Sequence, residues 1–221
     1  MDIGSAFTFA FDDQDWIKKL AIGGALIFGA TLLSPIIIGL ALLFPVLGYM
    51  LLTLENVRDS QTPALPEWSD FGSLFSRGGM VFVIGLIYNI PALLLYCVSF
   101  GIQFALTNAD SDVAASLGFV AVCLSCFQII LSLLAYFLIP AAIIRYSQFG
   151  TMGAAFQFGE IIALVRNNLG DYVVAVLLSW VAGFIAIFGL ILCGIGIFFT
   201  NFWALLVSAN LYGQLARKAN L

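Results

Sequence analysis

Between Leu20 and Leu54 the sequence carries no Asp, Glu, Lys, Arg or His, and no other feature restricts the fold as strongly. Drawn as one helix, this run would reach about 50 Å, against a hydrocarbon core of about 30 Å. Ser34-Pro35 lies near its middle, and a proline disfavours helical geometry at the residue before it. The run therefore predicts a tight hairpin of two membrane spans, over 16–33 and 35–56. Pro45 is expected to kink the second span rather than end it.

Four more apolar runs predict spans over 80–104, 117–144, 172–191 and 197–215. The Val, Ile, Leu and Phe residues of 80–104 together favour insertion by roughly 6 kcal/mol, against roughly 3 kcal/mol lost to one central charge. Only 9% of the residues are charged, where a soluble domain carries roughly 25%. Too few charges remain to cover a water-facing surface, and such a chain in water would expose large apolar patches. The expected fold is an all-α integral membrane protein, one polytopic domain over 1–221. It has six spans in three hairpins, with short interfacial helices in the polar segments 58–77 and 145–171.

Charge placement tests this arrangement. The turns on the far side would be Ser34-Pro35, the polar loop 106–116 and the turn at Cys193, and none holds Lys or Arg. Lys18, Lys19, Arg58, Arg77, Arg145, Arg166, Arg217 and Lys218 all fall on the side of both termini. The positive-inside rule makes that side the cytoplasm, which predicts a multi-pass protein of the cytoplasmic membrane with both termini inside. No cleavable leader is expected, because the first residues are acidic (Asp2, Asp12, Asp13, Asp15) and no small-residue cleavage site follows the first apolar run.

The residues also narrow the chemistry. A net charge of −4 argues against a nucleic-acid partner, which needs a basic stripe. The chain has no histidine, which removes the commonest general base, metal ligand and haem ligand, so neither a cofactor nor an enzymatic activity is expected. Gly170-Asp171 completes only part of the Gly-x-Gly-Asp pattern of intramembrane aspartyl proteases, with Asn168 at the first Gly place. Cys97, Cys123, Cys126 and Cys193 lie in apolar runs and read as small buried hydrophobes. The interiors of the six spans hold no Asp, Glu, Lys, Arg or His; Glu55, Arg145 and Asp171 stand at their ends. That disfavours a proton relay or charge-lined channel. Asn89, Gln103, Gln128 and Asn201 do lie inside, and serve either as interhelical hydrogen-bond partners or as the polar lining of a path for an uncharged or lipidic solute. Ala21, Ala25 and Gly29, and again Ala209 and Gly213, have the spacing that lets helices approach closely.

Gly4-Ser5-Ala6-Phe7-Thr8-Phe9 is similar to Gly153-Ala154-Ala155-Phe156-Gln157-Phe158, and Phe71-Gly72-Ser73-Leu74-Phe75 stands before the middle hairpin. The three together suggest a threefold repeat of interfacial helix plus hairpin. The most specific motif is Leu65-Pro66-Glu67-Trp68-Ser69-Asp70-Phe71-Gly72. Gly48-Tyr49 and Asn56-Val57-Arg58-Asp59 precede it, and Tyr88-Asn89-Ile90-Pro91, Gly159-Glu160-Ile161 and Gly170-Asp171-Tyr172 follow. With these elements the chain resembles a prokaryotic membrane family catalogued as domain of unknown function 4013. It departs from the family's pattern at Ser69, where a second acidic residue is usual, and at Phe71, where Trp is frequent. The resemblance implies a helical, polytopic protein of bacteria or archaea and supplies no activity.

On physical grounds the 65–72 element reads as a rigid cytoplasmic loop, stiffened by Pro63 and Pro66 and anchored at the interface by Trp68. Ser69 or Asp70 caps a short helix, and Glu67 or Asp70 is expected to pair with Arg58 or Arg77. The loop is either a clamp between the first two hairpins or a docking surface. The leading expectation is a non-catalytic scaffold or accessory subunit in contact with membrane lipids and with another membrane protein or a second copy of itself. The alternative is a transporter or pore.

Overall fold

The computed structural model describes all residues except Ile36, Ile37, Asn108, Ala109, Cys193, Asn220 and Leu221. The reading of Cys193 therefore lies outside the described residues, while Leu192, Gly194 and Ile195 beside it form a turn. Among the described residues all regular structure is helical: α1 (Ile3–Thr8), α2 (Trp16–Leu32), α3 (Ile38–Ala41), α4 (Leu43–Arg58), α5 (Phe71–Leu106), α6 (Ser111–Phe149), α7 (Phe158–Asn167), α8 (Leu169–Ile187) and α9 (Gly196–Lys218), with 3-10 turns at Phe9–Asp12, Met152–Phe156 and Phe188–Ile191. Four helical stretches are long and apolar enough to cross a membrane: Gly39–Arg58, Phe71–Leu106, Val113–Phe149 and Leu169–Ile191.

Two of the six expected spans fall outside that description, for different reasons. With 17 residues, α2 is at the lower limit of length for a crossing. Polar Thr200, Asn201, Ser208, Asn210 and Gln214 dilute the hydropathy of α9. Other boundaries also differ from expectation. The segment 71–77 is no separate interfacial helix but the first turns of α5, which runs unbroken for 36 residues past an internal Pro91. The helix α6 begins at Ser111, inside the expected loop, and spans 39 residues. Leu42, with helical φ and ψ, separates α3 from α4, and Pro45 sits in the first turn of α4, where its missing N–H leaves no bond of that helix unmade.

The chain forms two compact units, one of 1–83 with 141–221 and one of 84–140. The first is organised by α9, which packs against α2, α4 and α8. Glycines make these approaches possible. A Cβ at Gly23 or Gly24 would overlap the rings of Phe202 and Phe199, and one at Gly213 would press on the Leu54 carbonyl. At the crossing of α4 and α5 the backbones touch: a Cβ at Gly48 would overlap the Leu74 carbonyl, and one at Gly78 the Phe44 carbonyl. Of the small residues picked out by spacing, Ala209 is fully buried and Gly213 lies at such a contact, while Ala21 and Ala25 are exposed. The adjacent pair Gly23-Gly24 performs the role expected of them on α2.

The second unit presents mostly large apolar side chains outward, among them Phe100, Phe104, Phe119 and Phe127. Cys97, Cys123 and Cys126 are free and exposed rather than buried, because they lie on these outward faces. Such a surface is compatible with lipid and would be a large aggregation-prone patch in water.

Candidate functional site

The segment before α2 carries Asp12, Asp13 and Asp15, and α2 follows with Lys18-Lys19. Of the pair, Lys19 turns inward, on the same face as Gly23, and Lys18 is exposed. Lys19 is 2% exposed. Its Nζ donates to Asp13 Oδ2 at 2.8 Å and to the Leu65 carbonyl at 3.3 Å, and it pairs with Glu67 Oε1 at 2.6 Å. Asp13 is itself buried, and its Oδ1 accepts the Asp15 backbone N–H at 2.8 Å. A buried ammonium between two carboxylates and a carbonyl meets the requirement that an interior charge be paired and hydrogen-bonded.

The 65–72 loop closes onto this lysine from the other side. Trp68 Nε1 donates to the Lys19 carbonyl at 3.1 Å, and the indole stacks on Tyr49 of α4 with centroids 4.3 Å apart. Phe202 of α9 lies 5.5 Å from Tyr49 and 5.9 Å from Trp68. Trp68 is therefore a core residue and not an interfacial anchor. Its polar edge is satisfied by a backbone carbonyl, as a buried indole requires. Upstream, Asn56 Nδ2 donates to the Ala64 carbonyl at 3.0 Å and Gln61 N–H to the Asn56 carbonyl at 2.8 Å. Pro66 is half-buried beside buried Leu65, whereas Glu67 remains 65% exposed along its side chain.

The expected pairing of Glu67 or Asp70 with Arg58 or Arg77 does not form. Asp70 instead caps α5, its Oδ1 accepting the Ser73 N–H at 3.0 Å. Arg58 grips Asp59 with Nε and Nη2, at 2.8 and 3.2 Å. That guanidinium holds the Asp59 carboxyl below the ordinary carboxylate range. Arg58 Nη1 reaches the Ser147 carbonyl and Oγ at 3.0 and 3.3 Å, and Arg77 Nη1 pairs with Glu55 at 2.7 Å. The loop finds its cation on α2 because Lys19 is the buried charge that most needs a partner. The sequence gives Lys19, Asp13 and Tyr49 no site role, although Tyr49 stands in the Gly48-Tyr49 element. The available signal was the run of acids immediately before two adjacent lysines.

Beside the clamp lies a cavity of about 930 Å³, lined among others by Asp12, Asp13, Asp15, Lys19, Glu67 and Arg217. Gln214 of α9 forms its far wall. It accepts the Asp2 N–H at 2.7 Å and donates to the Asp2 carbonyl at 3.0 Å, so a side-chain amide pairs with the backbone at the start of α1.

The residues considered as a polar lining are spread over both units. Asn89, Gln103 and Gln128 belong to the second and Asn201 to the first. Asn89 Nδ2 and Asn201 Nδ2 each donate to a carbonyl of their own helix, Gly85 and Ile197, both at 2.8 Å. Gln103 is exposed and Gln128 half-buried. Among the described residues no cluster of acidic and cysteine side chains suited to a metal ion occurs.

These features define an all-helical protein with helices apolar enough to cross a membrane, one compact unit of which is locked by a buried lysine clamp. No curated protein and no solved structure matches the chain. It belongs to the family described as "Protein of unknown function (DUF4013)", whose pattern matches residues 16–195. That span takes in the whole clamp except Asp13.

Proposed function

We propose that this protein is a non-catalytic scaffold or accessory subunit of a membrane assembly, crossing the cytoplasmic membrane of a prokaryote six times. In this reading both termini and the 65–72 loop face the cytoplasm. The observation that carries it is the clamp. A loop whose inner side is fixed by Lys19 and Trp68 presents Glu67 and Asp70 outward in one conformation, and a preorganised surface loses little ordering entropy when a partner docks.

The internal chemistry supports the same choice over a solute pathway. Ionisable side chains at the helix ends are paired: Glu55 with Arg77, Asp171 with Lys218 at 2.6 Å, and Arg145 with Gln157 at 2.8 Å. The amides of Asn89 and Asn201 return to their own helices. A threefold repeat is also part of this reading. Ala6 and Ala155 hold equivalent places in the two Gly-Ser/Ala-Ala-Phe segments, and both are fully buried.

A photo-crosslinker placed at Glu67, followed by mass spectrometry on protein extracted gently from its native membrane, tests the proposal. A reproducible partner crosslinked through the 65–77 surface is the expected result. A monomer that crosslinks to nothing there overturns it.

A further inference from the structure

The cavity beside the clamp, of about 930 Å³, is charged unevenly. Its lining holds five carboxylates, those of Asp2, Asp12, Asp13, Asp15 and Glu67, against two cations, Lys19 and Arg217. We propose that it receives an extended basic peptide segment of a partner, with main-chain carbonyls along α9 and a Lys or Arg side chain toward Asp12 and Asp15.

Lys19 is held by Asp13, Glu67 and the Leu65 carbonyl, which takes up its three N–H donors and leaves nothing for an anion. Asp2 Oδ1 accepts the Ser5 N–H. Asp12 and Asp15 are exposed, and neither carboxylate has an ion-pair or hydrogen-bond partner among the described residues. A wall of open carboxylates is complemented by a cation.

Carboxylates alone would accept any cation, and the opposite wall selects further. Asn210 of α9 is 4% exposed and opens on this cavity. A chain of bonds fixes its amide. The Asp2 N–H takes Gln214 Oε1 as its acceptor, so Gln214 Nε2 donates to Asn210 Oδ1 at 2.7 Å. Asn210 Nδ2 is left without a partner among the described residues, and an interior donor is costly to leave unmade. It requires an acceptor, which a metal ion or a protonated polyamine lacks and a peptide carbonyl supplies.

Two turns further along the same face, Arg217 lines the cavity, exposed and with Nη1 on Ser60 Oγ at 3.0 Å. Its guanidinium keeps other donors. The seven positions from Asn210 to Arg217 cover about 10 Å of helix, the reach of about three extended residues. Donors at that spacing suit carbonyls along an extended peptide and stand too far apart for the single carboxylate of a free amino acid. Glu67 belongs both to this cavity and to the 65–72 loop. The basic segment is therefore a feature of the partner that docks on that loop, and this step rests on the scaffold reading above.

The test uses the full chain in phosphatidylcholine nanodiscs, which lack the anionic lipid that attracts basic peptides. Isothermal titration calorimetry at low ionic strength compares a blocked tri-lysine peptide with spermidine, which carries about the same charge and no carbonyl. The peptide is expected to bind about fivefold more tightly, the worth of one net hydrogen bond. Asp12→Asn combined with Asp15→Asn should weaken both ligands about fivefold. Asn210→Asp keeps the acceptor for Gln214, removes the donor and adds a negative charge. It should bring the ratio of the two affinities to near unity without weakening spermidine. Both ligands are read on one preparation, so a loss of folded protein lowers both signals alike and leaves the ratio unchanged. Absence of binding, equal affinity for the two ligands, or a preference that survives Asn210→Asp overturns the inference. Binding indifferent to Asp12 and Asp15 overturns it as well. The two readings fail separately. A partner crosslinked at Glu67 without tri-lysine binding removes only the role of this cavity. Peptide binding without any crosslinked partner in the native membrane removes the scaffold reading and leaves the cavity a peptide site.

Discussion

Replacing Lys19 by Met keeps the length of the buried stem and removes only its charge, which makes it the most informative single change in the clamp. Asp13 would lose its ammonium at 2.8 Å while remaining buried, and the Leu65 carbonyl would lose its donor at 3.3 Å. The ion pair to Glu67 contributes little, because that carboxylate is 65% exposed and such pairs are worth roughly 0.2–1 kcal/mol. Breaking the buried pair from one side costs about 3–5 kcal/mol. For a chain of this size that corresponds to a fall in melting temperature of about 10 °C. The assay is thermal unfolding in detergent micelles followed by tryptophan fluorescence, with Trp68 as a reporter inside the affected site. Lys18→Met, one residue away but exposed, should leave the curve unchanged. Asp13→Asn retains the acceptor for the Asp15 N–H, and the double variant should lose about 2 kcal/mol less than the sum of the singles, as partners in direct contact do. A drop below about 2 °C for Lys19→Met, the scale of a surface pair, would refute the reasoning. Strict additivity in the double variant would refute it as well.

Gly48→Ala and Gly78→Ala drive a methyl into the opposing carbonyl at the α4–α5 crossing and should each cost about 1–3 kcal/mol. Gly85→Ala, with open space around it, should be neutral or gain up to about 1 kcal/mol from helix propensity; the same melting assay reads all three. Trp68→Phe removes the bond to the Lys19 carbonyl and should cost about 1–3 kcal/mol, while Trp68→Ala, which empties the stack on Tyr49, should cost about 3–5 kcal/mol. Gln214→Leu cuts both bonds to Asp2 and the bond to buried Asn210 Oδ1, so amide hydrogen exchange should rise across α1 and the unpaired Asn210 acceptor should cost about 1–3 kcal/mol in the melting assay. A protected α1 in that variant would mean the amide pair does not hold the segment.

The sequence made the helical class plain because long runs without charge admit few other structures. The approximate positions of the longest helices follow from the same runs. The ends did not follow, since α5 and α6 continue through polar residues that their own backbone bonds and the Asp70 cap can accommodate. The 65–72 motif stands out as an unusual string of Pro, Trp and acids, yet its partners do not follow from the sequence. Distance along the chain suggested Arg58 and Arg77, whereas the cation that binds the loop is Lys19, 46 residues before Leu65. Only burial distinguishes Lys19 from Lys18, and burial is a property of the packed helices. The glycines tell the same story: Gly23 and Gly24 matter because Phe199 and Phe202 arrive from a distant helix, which no local spacing reveals.

That distant helix has a consequence for how the protein is made. The helix α9 comes after every element it holds together, so α2 and α4 leave the ribosome with the notches at Gly23 and Gly24 empty and Tyr49 lacking Phe202. At roughly 5–20 residues per second, α9 follows α4 by on the order of ten seconds. For that interval the clamp can close on Lys19 while the core beside it stays open, and the nascent chain is a half-assembled bundle waiting for its central post.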